Sequence, residues 1–475
     1  MTHSSNAPAV PAPGQPVRFQ GYQQRSRPGP DLELTSTDAG TPMGEYMRRY
    51  WQPVCLSEEL TDVPKAIRIM GEALVAFRDK SGDIGVMHRH CAHRGASLEY
   101  GIIAEHGIRC CYHGWHYGVD GTLLDAPCES DATRLKQTVC QGAYPAFERD
   151  GLVFAYMGPG EAPPFPEFDT YQLPRGTRLV PFSNVYPCNW LQVYENIMDH
   201  MHTAVLHNHM VVEGVDADTS AGVSLEGFGD MPVMQWEPTR EGNGCVFIAS
   251  RRLPDDKVWV RITEMVFPNY LQIGSLLPTA ARERHGTAGC TRWNVPVDDE
   301  NMIIFGFRHF NPIVDPDGLG AEQDCGVDKI DFLEGQTGNR SYAEGQRAPG
   351  DWEAIVSQGK IASHGAEHPG LSDIGVYMCR KLLRSAAQGR TAPNRLYEQL
   401  SGSGQTLPIY AQDSTLHIPE LADKQADRTR ILDVSKQVFE AMRSADRLPA
   451  NERDAHVRAL LDSIDDRSHP VPDGA

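Results

Sequence analysis

The sequence predicts an α+β chain in two parts: a small antiparallel all-β unit, then a larger unit whose antiparallel sheet is flanked by helices. Three observations predict this. Between Trp51 and Pro159, short alternating runs bounded by turn formers recur about every ten residues, as in small antiparallel sheets. Longer strand-like runs then extend to Arg308, and helical patterns return only near 351–358, 373–387, 428–444 and 452–464. The 475 residues, 40% of them apolar, are enough for two or three globular cores.

Taken in order, residues 1–38 are rich in Pro, Ser, Gly and Gln, as in Ala7-Pro-Ala-Val-Pro-Ala-Pro13. Such a stretch buries too little surface to offset its ordering entropy, so an extended or disordered arm is expected. Thr41-Pro-Met-Gly-Glu-Tyr reads as a capped helix start, with Pro42 in the first helical position and Glu45 three residues on. The small unit, 39–166, carries the runs Ala66–Met70, Ala73–Phe77, Ile84–Met87 and Leu152–Met157, and Pro159-Gly-Glu-Ala-Pro-Pro-Phe-Pro166 closes it as a stiff linker. The larger unit, 167–475, opens with a helix over Asn189–His207 and continues through the strand-like runs Cys245–Ala249, Val258–Phe267 and Met302–Arg308. The Gly- and Asp-rich segment 312–350 is too long for a plain connector and reads as a lid or a subunit contact.

Composition narrows the partners. A net charge of −19 argues against nucleic acid and anionic membrane. An odd set of eleven cysteines spread along the chain suits reduced thiols in a cytoplasm. No run of eighteen apolar residues occurs, and the first residues lack the apolar stretch of a signal peptide.

Two thiol–imidazole pairs carry the chemistry: Cys91-Ala-His93-Arg-Gly95 and Cys110-Cys-Tyr-His113-Gly114. A [2Fe–2S] cluster with two Cys on one iron and two His on the other needs that ligand set, and its neutral imidazoles raise the potential. A structural zinc site uses the same four ligand types. Zinc fingers usually pair Cys with Cys and His with His, whereas here each half is mixed. The Gly after each half lets the backbone turn tightly toward sulfur. Cys111 stands at the wrong distance from His113 for a C-x-x-H half, which leaves Cys110 as the ligand.

On Cys91-Ala-His-Arg-Gly-Ala96, Arg109-Cys-Cys-Tyr-His-Gly-Trp115 and Gly40-Thr-Pro-Met-Gly-Glu-Tyr-Met-Arg-Arg-Tyr-Trp51, the sequence resembles the Rieske non-heme iron oxygenases. The likeness is strongest to their phthalate 4,5-dioxygenase-like branch and runs from about Gly40 to about Leu383. Cys111 departs from it, since the family usually has Pro there. The resemblance implies a catalytic unit of helix-grip type. It also implies mononuclear iron beside the cluster, electrons from NAD(P)H through a separate flavin or iron–sulfur reductase, and a homotrimer or dimer of trimers. No Gly-x-Gly-x-x-Gly opens a helix here to bind a nicotinamide or flavin.

The second constellation is Glu195-x3-Asp199-x2-His202-x4-His207. Two imidazoles and one carboxylate on one face of iron leave the other positions open for O2 and water. His202 and His207 would diverge by roughly 140° on a regular helix, so a widened or bent helix between them is expected. Alone, these residues read equally as histidines of an amphipathic helix, in a region that also holds His200 and His209. The resemblance maps the iron ligands onto His202 and His207, and a carboxylate linking the two metal sites onto Asp199. In the phthalate-like branch the third ligand precedes a Gly by eight residues, a spacing that Asp351 and Gly359 match, with Asp373 as the rival. A helix-capping acid is the other reading of Asp351.

The implied activity is hydroxylation by a terminal oxygenase, mono- or dioxygenase. Its substrate is either a phthalate-like aromatic acid, with Arg251, Arg252 and Arg261 as candidate clamps, or a small aliphatic alcohol such as tert-butyl alcohol. A Rieske electron carrier without oxygenase activity and a zinc-stabilised binding protein are the alternatives from other classes.

Overall fold

The computed structural model describes residues 21–22, 28–130, 134–172, 177–207, 231–274, 285–310, 322–329, 337–392, 400 and 403–465. Its first unit is built from three small antiparallel sheets. One joins Lys65–Ile69, Glu72–Arg78, Ile84–His88 and Ala143–Tyr144, and a second joins Ile102–Ile103, Ile108–Arg109, His116–Tyr117 and Leu123–Asp125. The third joins Trp51–Leu56, Leu152–Tyr156 and Ala146–Arg149. Alternation along Glu72–Arg78 explains how the unit is held. Val75 and Phe77 enter a core with Met87, Leu98, Ile108 and Tyr117, whereas Leu74 and Ala76 face the main core of the molecule. Each buried Val, Leu, Ile, Met or Phe among them is worth about 1.5–3 kcal/mol. The strand is therefore buried on both faces.

The second unit is organised by an eight-stranded antiparallel sheet. Its order is Arg178–Tyr186, Asn301–Phe310, Gly286–Asp298, Tyr270–Gly274, Lys257–Val266, Gly244–Leu253 and Val233–Thr239, with Gln412–His417 pairing beside Lys257–Val266 and Gly286–Asp298. Period-two alternation divides its faces. Cys245, Phe247 and Ala249 join the main core, and Val246 and Ile248 face the helices Lys424–Ser444 and Ala450–Ile464 through Val434, Val438 and Leu461. The first face receives the segment that carries His202.

That segment departs from the single long helix expected over 189–207. Asn189 caps a helix at Trp190–Glu195 by accepting from the Leu191 N–H at 3.1 Å. A 3₁₀ turn, Asn196–Met198, follows, and Asp199 leaves helical conformation at φ −97°, ψ 84°. A short helix, Thr203–Leu206, then resumes. Side chains from elsewhere satisfy the interruption: the Trp236 indole N–H donates to the Met198 carbonyl at 3.0 Å, and the Asp199 carboxylate accepts the Met201 N–H at 3.1 Å. The break therefore lies before His202, not between His202 and His207.

The expected arm is also more ordered at its end than its composition suggested. Leu32–Thr35 forms a helical turn, Leu34 is buried, and its carbonyl accepts from the Trp190 indole at 3.1 Å. Arg384 of the helix Ile374–Ala387 pairs with Asp31 and Glu33. Residues 1–20 and 23–27, like much of 312–350, lie outside the described residues. Within the latter segment, Tyr342–Arg347 is a helix with a Ser341–Glu344 capping box. Among the described residues no helix is long and apolar enough to cross a membrane.

Candidate metal centres

The first centre lies on two loops of the small unit, one after Ile84–His88 and one between Ile108–Arg109 and His116–Tyr117. The loops are built alike. In each, a Gly N–H closes back on a Cys carbonyl: Gly95 on Cys91 at 2.8 Å, and Gly114 on Cys110 at 3.1 Å. In each, the Cys N–H reaches five residues ahead: Cys91 to the Ala96 carbonyl at 2.9 Å, and Cys110 to the Trp115 carbonyl at 2.8 Å. Gly95 and Gly114 sit at φ +73° and +72°, where a side chain is strained. Around Gly114 there is also no room, because an added Cβ would meet Pro127 Cγ at 2.9 Å.

These matched loops bury the Cys91 and Cys110 thiols side by side and leave the His93 and His113 rings half-buried toward the surface. The two rings meet edge to face, 4.6 Å between centroids, and His93 stacks flat on Trp115 at 4.4 Å. The Tyr117 hydroxyl lies 3.1 Å from Cys91 Sγ. Burial, followed by the thiol bonded to it, pushes the Tyr117 phenol up, and burial pushes the Cys91 thiol up as well. Tyr117 carried no motif signal, because a Tyr two residues after Trp115 is unremarkable in sequence. Cys111 is exposed.

The donor set fits a two-iron cluster better than zinc. One tetrahedral ion brings its donor atoms within roughly 4 Å of one another. Among the described residues, ligand atoms within 4.8 Å of one another occur in His202/His207/Asp351 and Glu195/His364/Glu367, not in the Cys–His quartet. A group with two metal atoms accounts for that wider spread.

The second centre forms where the short helix Thr203–Leu206 faces the start of the helix Asp351–Val356. His202 and His207 flank the former as its N- and C-cap. Their rings approach to 5.3 Å between centroids. Asp351 Oδ1 lies 3.4 Å from Nε2 of each. Three donors bound to one ion at about 2.1 Å stand roughly 3 Å apart on one face, so the set fits a single ion. Asp199 Oδ2 lies 3.7 Å from the other nitrogen of His202. Burial lowers the His202 imidazole, but the Asp199 and Asp351 carboxylates outweigh it and hold the ring above its ordinary value.

The other expected residues go elsewhere. Asp373 caps its own turn, accepting the Gly370 N–H at 2.6 Å. Glu195 is buried, and Arg380 grips it at 2.6 Å through Nε and one terminal nitrogen while also binding Glu367, so the Glu195/His364/Glu367 group is an ion-pair network. Burial raises the Glu195 carboxyl, and Arg380 opposes that shift. The three candidate clamp arginines are each engaged by groups of the protein itself. Arg261 pairs with Asp413 at 2.8 Å, and Arg252 pairs with Asp427 at 2.5 Å and with the Ile418 carbonyl. Arg251 donates to Thr203 Oγ1 at 2.8 Å and meets His200 Nε2 at 3.2 Å, so it braces the segment that carries His202. The sequence had placed these three on strands, where each could equally line a pocket or face solvent. The carboxylate partners of Arg252 and Arg261 come from a helix and a strand far along the chain, which spacing does not reveal. His209 lies outside the described residues.

Comparison with known proteins adds three findings. Residues 50–140 match the Rieske [2Fe-2S] domain family. The chain is 59% identical to the tert-butanol monooxygenase / tert-amyl alcohol desaturase oxygenase subunit of Aquincola tertiaricarbonis, over 97% of this chain and 99% of that protein. It is 32% identical to the phthalate 4,5-dioxygenase oxygenase subunit of Pseudomonas putida, over 76% of this chain and 85% of that protein. In fold it resembles the oxygenase in the reduced complex between oxygenase and ferredoxin of carbazole 1,9a-dioxygenase, with a TM-score of 0.50 and 19% identity over 76% of this chain and 94% of that one.

Proposed function

The chain belongs to the Rieske non-heme iron oxygenases, and from that membership we propose that His202, His207 and Asp351 hold its mononuclear iron and that its substrate is a small neutral tertiary alcohol. It is a terminal oxygenase subunit, an oxidoreductase with a Rieske [2Fe–2S] cluster. Cys91, His93, Cys110 and His113 are the proposed cluster ligands, with 39–166 as the cluster unit and 167–475 as the catalytic unit. When bound, the cluster held by Cys91, His93, Cys110 and His113 would supply electrons singly, and iron held by His202, His207 and Asp351 would supply the activation of O2.

The chain's own residues would act around those groups. His202 and His207 supply neutral donors and Asp351 the one anion, which offsets part of the metal's charge. Asp199 orients His202 through its far nitrogen, as carboxylates beyond the ligand sphere commonly do. Asp199 also borders an open cavity of about 480 Å³ lined by Asn196, Glu367, Tyr377 and Arg380. That opening supports a role in linking two centres, the second supplied by a neighbouring copy in a trimer. Electrons would come from NAD(P)H through a separate reductase or ferredoxin. The carbazole oxygenase, solved with its ferredoxin, supports a donor of that kind.

The observation that carries the substrate reading is the full-length likeness to a tert-butanol monooxygenase. The engagement of Arg252 and Arg261 by carboxylates favours it over an aromatic acid. Hydroxylating one C–H bond places one oxygen atom of O2 in the product and the other in water, consuming two electrons and two protons. The test is turnover with a reductase under ¹⁸O2, offering tert-butyl alcohol and phthalate in parallel. A single labelled oxygen in a diol from the alcohol is expected. Turnover of phthalate with the alcohol untouched refutes the reading.

A further inference from the structure

Gln141 lies beyond the second ligand loop and is only 3% exposed. Its Nε2 donates to the His88 carbonyl at 2.7 Å and to the His90 carbonyl at 2.9 Å. Its Oε1 accepts the Ala92 N–H at 2.8 Å. These partners define which end of the amide is which, because the carbonyls only accept and the N–H only donates. One side chain thus grips the main chain on both sides of Cys91.

Gln141 is itself well anchored. Its own N–H donates to the Gly121 carbonyl at 2.8 Å, and the His88 N–H donates to the Gly142 carbonyl at 2.8 Å. Ala143 and Tyr144 then pair with Met87 and Val86. The second ligand loop has a different brace: Arg109 donates to the Gly114 carbonyl at 3.3 Å and to Asp125 at 3.0 Å.

The consequence concerns the cluster, and it rests on the reading that Cys91 and His93 are ligands. Backbone N–H groups that point at cluster sulfur stabilise the reduced, more negative state and raise the potential. Ala92 directly follows Cys91, and its N–H is spent on Gln141. We propose that Gln141 is a positioning residue for the cluster, fixing the Cys91–His93 loop and keeping the Ala92 N–H from sulfur, so that the reduction potential is held down. No motif marks this residue, because it follows Cys110 by thirty-one positions in an unpatterned stretch.

The experiment uses the full-length, iron-loaded protein with Gln141→Leu and Gln141→Glu, and with Val153→Ala as a control buried in another sheet of the same unit. The readouts are the midpoint potential from optical redox titration, the g-values of the reduced cluster and thermal stability. Gln141→Leu frees the Ala92 N–H and should raise the midpoint. Gln141→Glu keeps that acceptor, loses both donors and adds a negative charge, so it should lower the midpoint. Val153→Ala should lose thermal stability with no shift in midpoint or g-values. Unchanged midpoint and g-values in both Gln141 variants overturn the proposal, as does an equal shift in Val153→Ala. Should Gln141→Leu not fold, Gln141→Met, which also frees the Ala92 N–H without adding charge, decides: a raised midpoint is expected, and an unchanged or lowered one overturns the proposal. Iron and sulfide analysis of the unmodified protein separates the two readings: without a cluster, the ligand assignment falls and takes this one with it.

Discussion

At the scale of single residues, neighbours with similar chemistry have opposite expected fates. Cys110 is buried beside Cys91, whereas Cys111 is exposed. Cys110→Ser should therefore lose the cluster's visible absorption while Cys111→Pro keeps it. The reverse result would mean that the loop register has been misread. The two candidate acids differ in the same way. Asp351 stands 3.4 Å from two imidazoles, and Asp373 holds a backbone N–H. Asp351→Ala should deplete the mononuclear iron and spare the cluster, since two neutral donors alone bind iron weakly. Asp373→Ala should cost about 0.5–2 kcal/mol of capping and leave the iron in place. Iron counts beside the cluster spectrum read the two sites separately. Iron lost from the Asp373 variant alone would move the triad to that residue.

At the scale of elements, the interrupted segment 190–206 is what brings His202 toward Asp351. Asp199 belongs to that interruption: one carboxylate oxygen caps the Met201 N–H and the other faces His202. Asp199→Asn keeps an oxygen for the cap but removes the charge beside the imidazole. Both metals should be retained and turnover should fall sharply, as observed generally when a carboxylate that orients a metal-bound histidine is lost. Loss of iron from this variant would instead make Asp199 a structural support of the site.

At the scale of the whole molecule, stability should depend on histidines buried uncharged in the large sheet. His309 is fully enclosed, donates through Nδ1 to the Ala288 carbonyl at 2.7 Å and meets the Thr291 hydroxyl at 2.9 Å. Burial lowers its pKa from 6.5 to about 4. The unfolded chain binds that proton near pH 6.5 and the folded one only near 4, so the stabilisation is complete above 6.5. It is lost as pH falls through that window, by up to ~3 kcal/mol for this one group. Comparing unfolding free energies of the unmodified protein and His309→Gln across pH 4–6.5 isolates the effect. Parallel curves would show that His309 titrates normally in the fold.

The sequence alone determined much of this protein. Short apolar runs bounded by turn formers located part of the strands, among them Glu72–Arg78, Ile84–His88, Leu152–Tyr156 and Lys257–Val266, because a strand that packs against a core needs such a run. The cluster loops were legible because all four proposed ligands fall within twenty-three consecutive positions, with a turn-forming Gly after each half. Thr41 and Pro42 announced a helix start that the structure bears out, with Thr41 Oγ1 accepting the Gly44 N–H at 3.2 Å. Tertiary structure decided what depends on groups remote in sequence. The break before His202 is satisfied by Trp236, from a strand beyond it, and Arg252 and Arg261 pair with Asp427 and Asp413 from distant segments. Asp351 and Asp373 look alike as acids at helix starts, and only the packing of the Asp351–Val356 helix against Thr203–Leu206 separates them. Gln141 is the clearest case, because three hydrogen bonds to main-chain atoms leave no trace in the identities of His88, His90 and Ala92. Side-chain spacing records local geometry, whereas a bond to another segment's backbone exists only once the chain has folded.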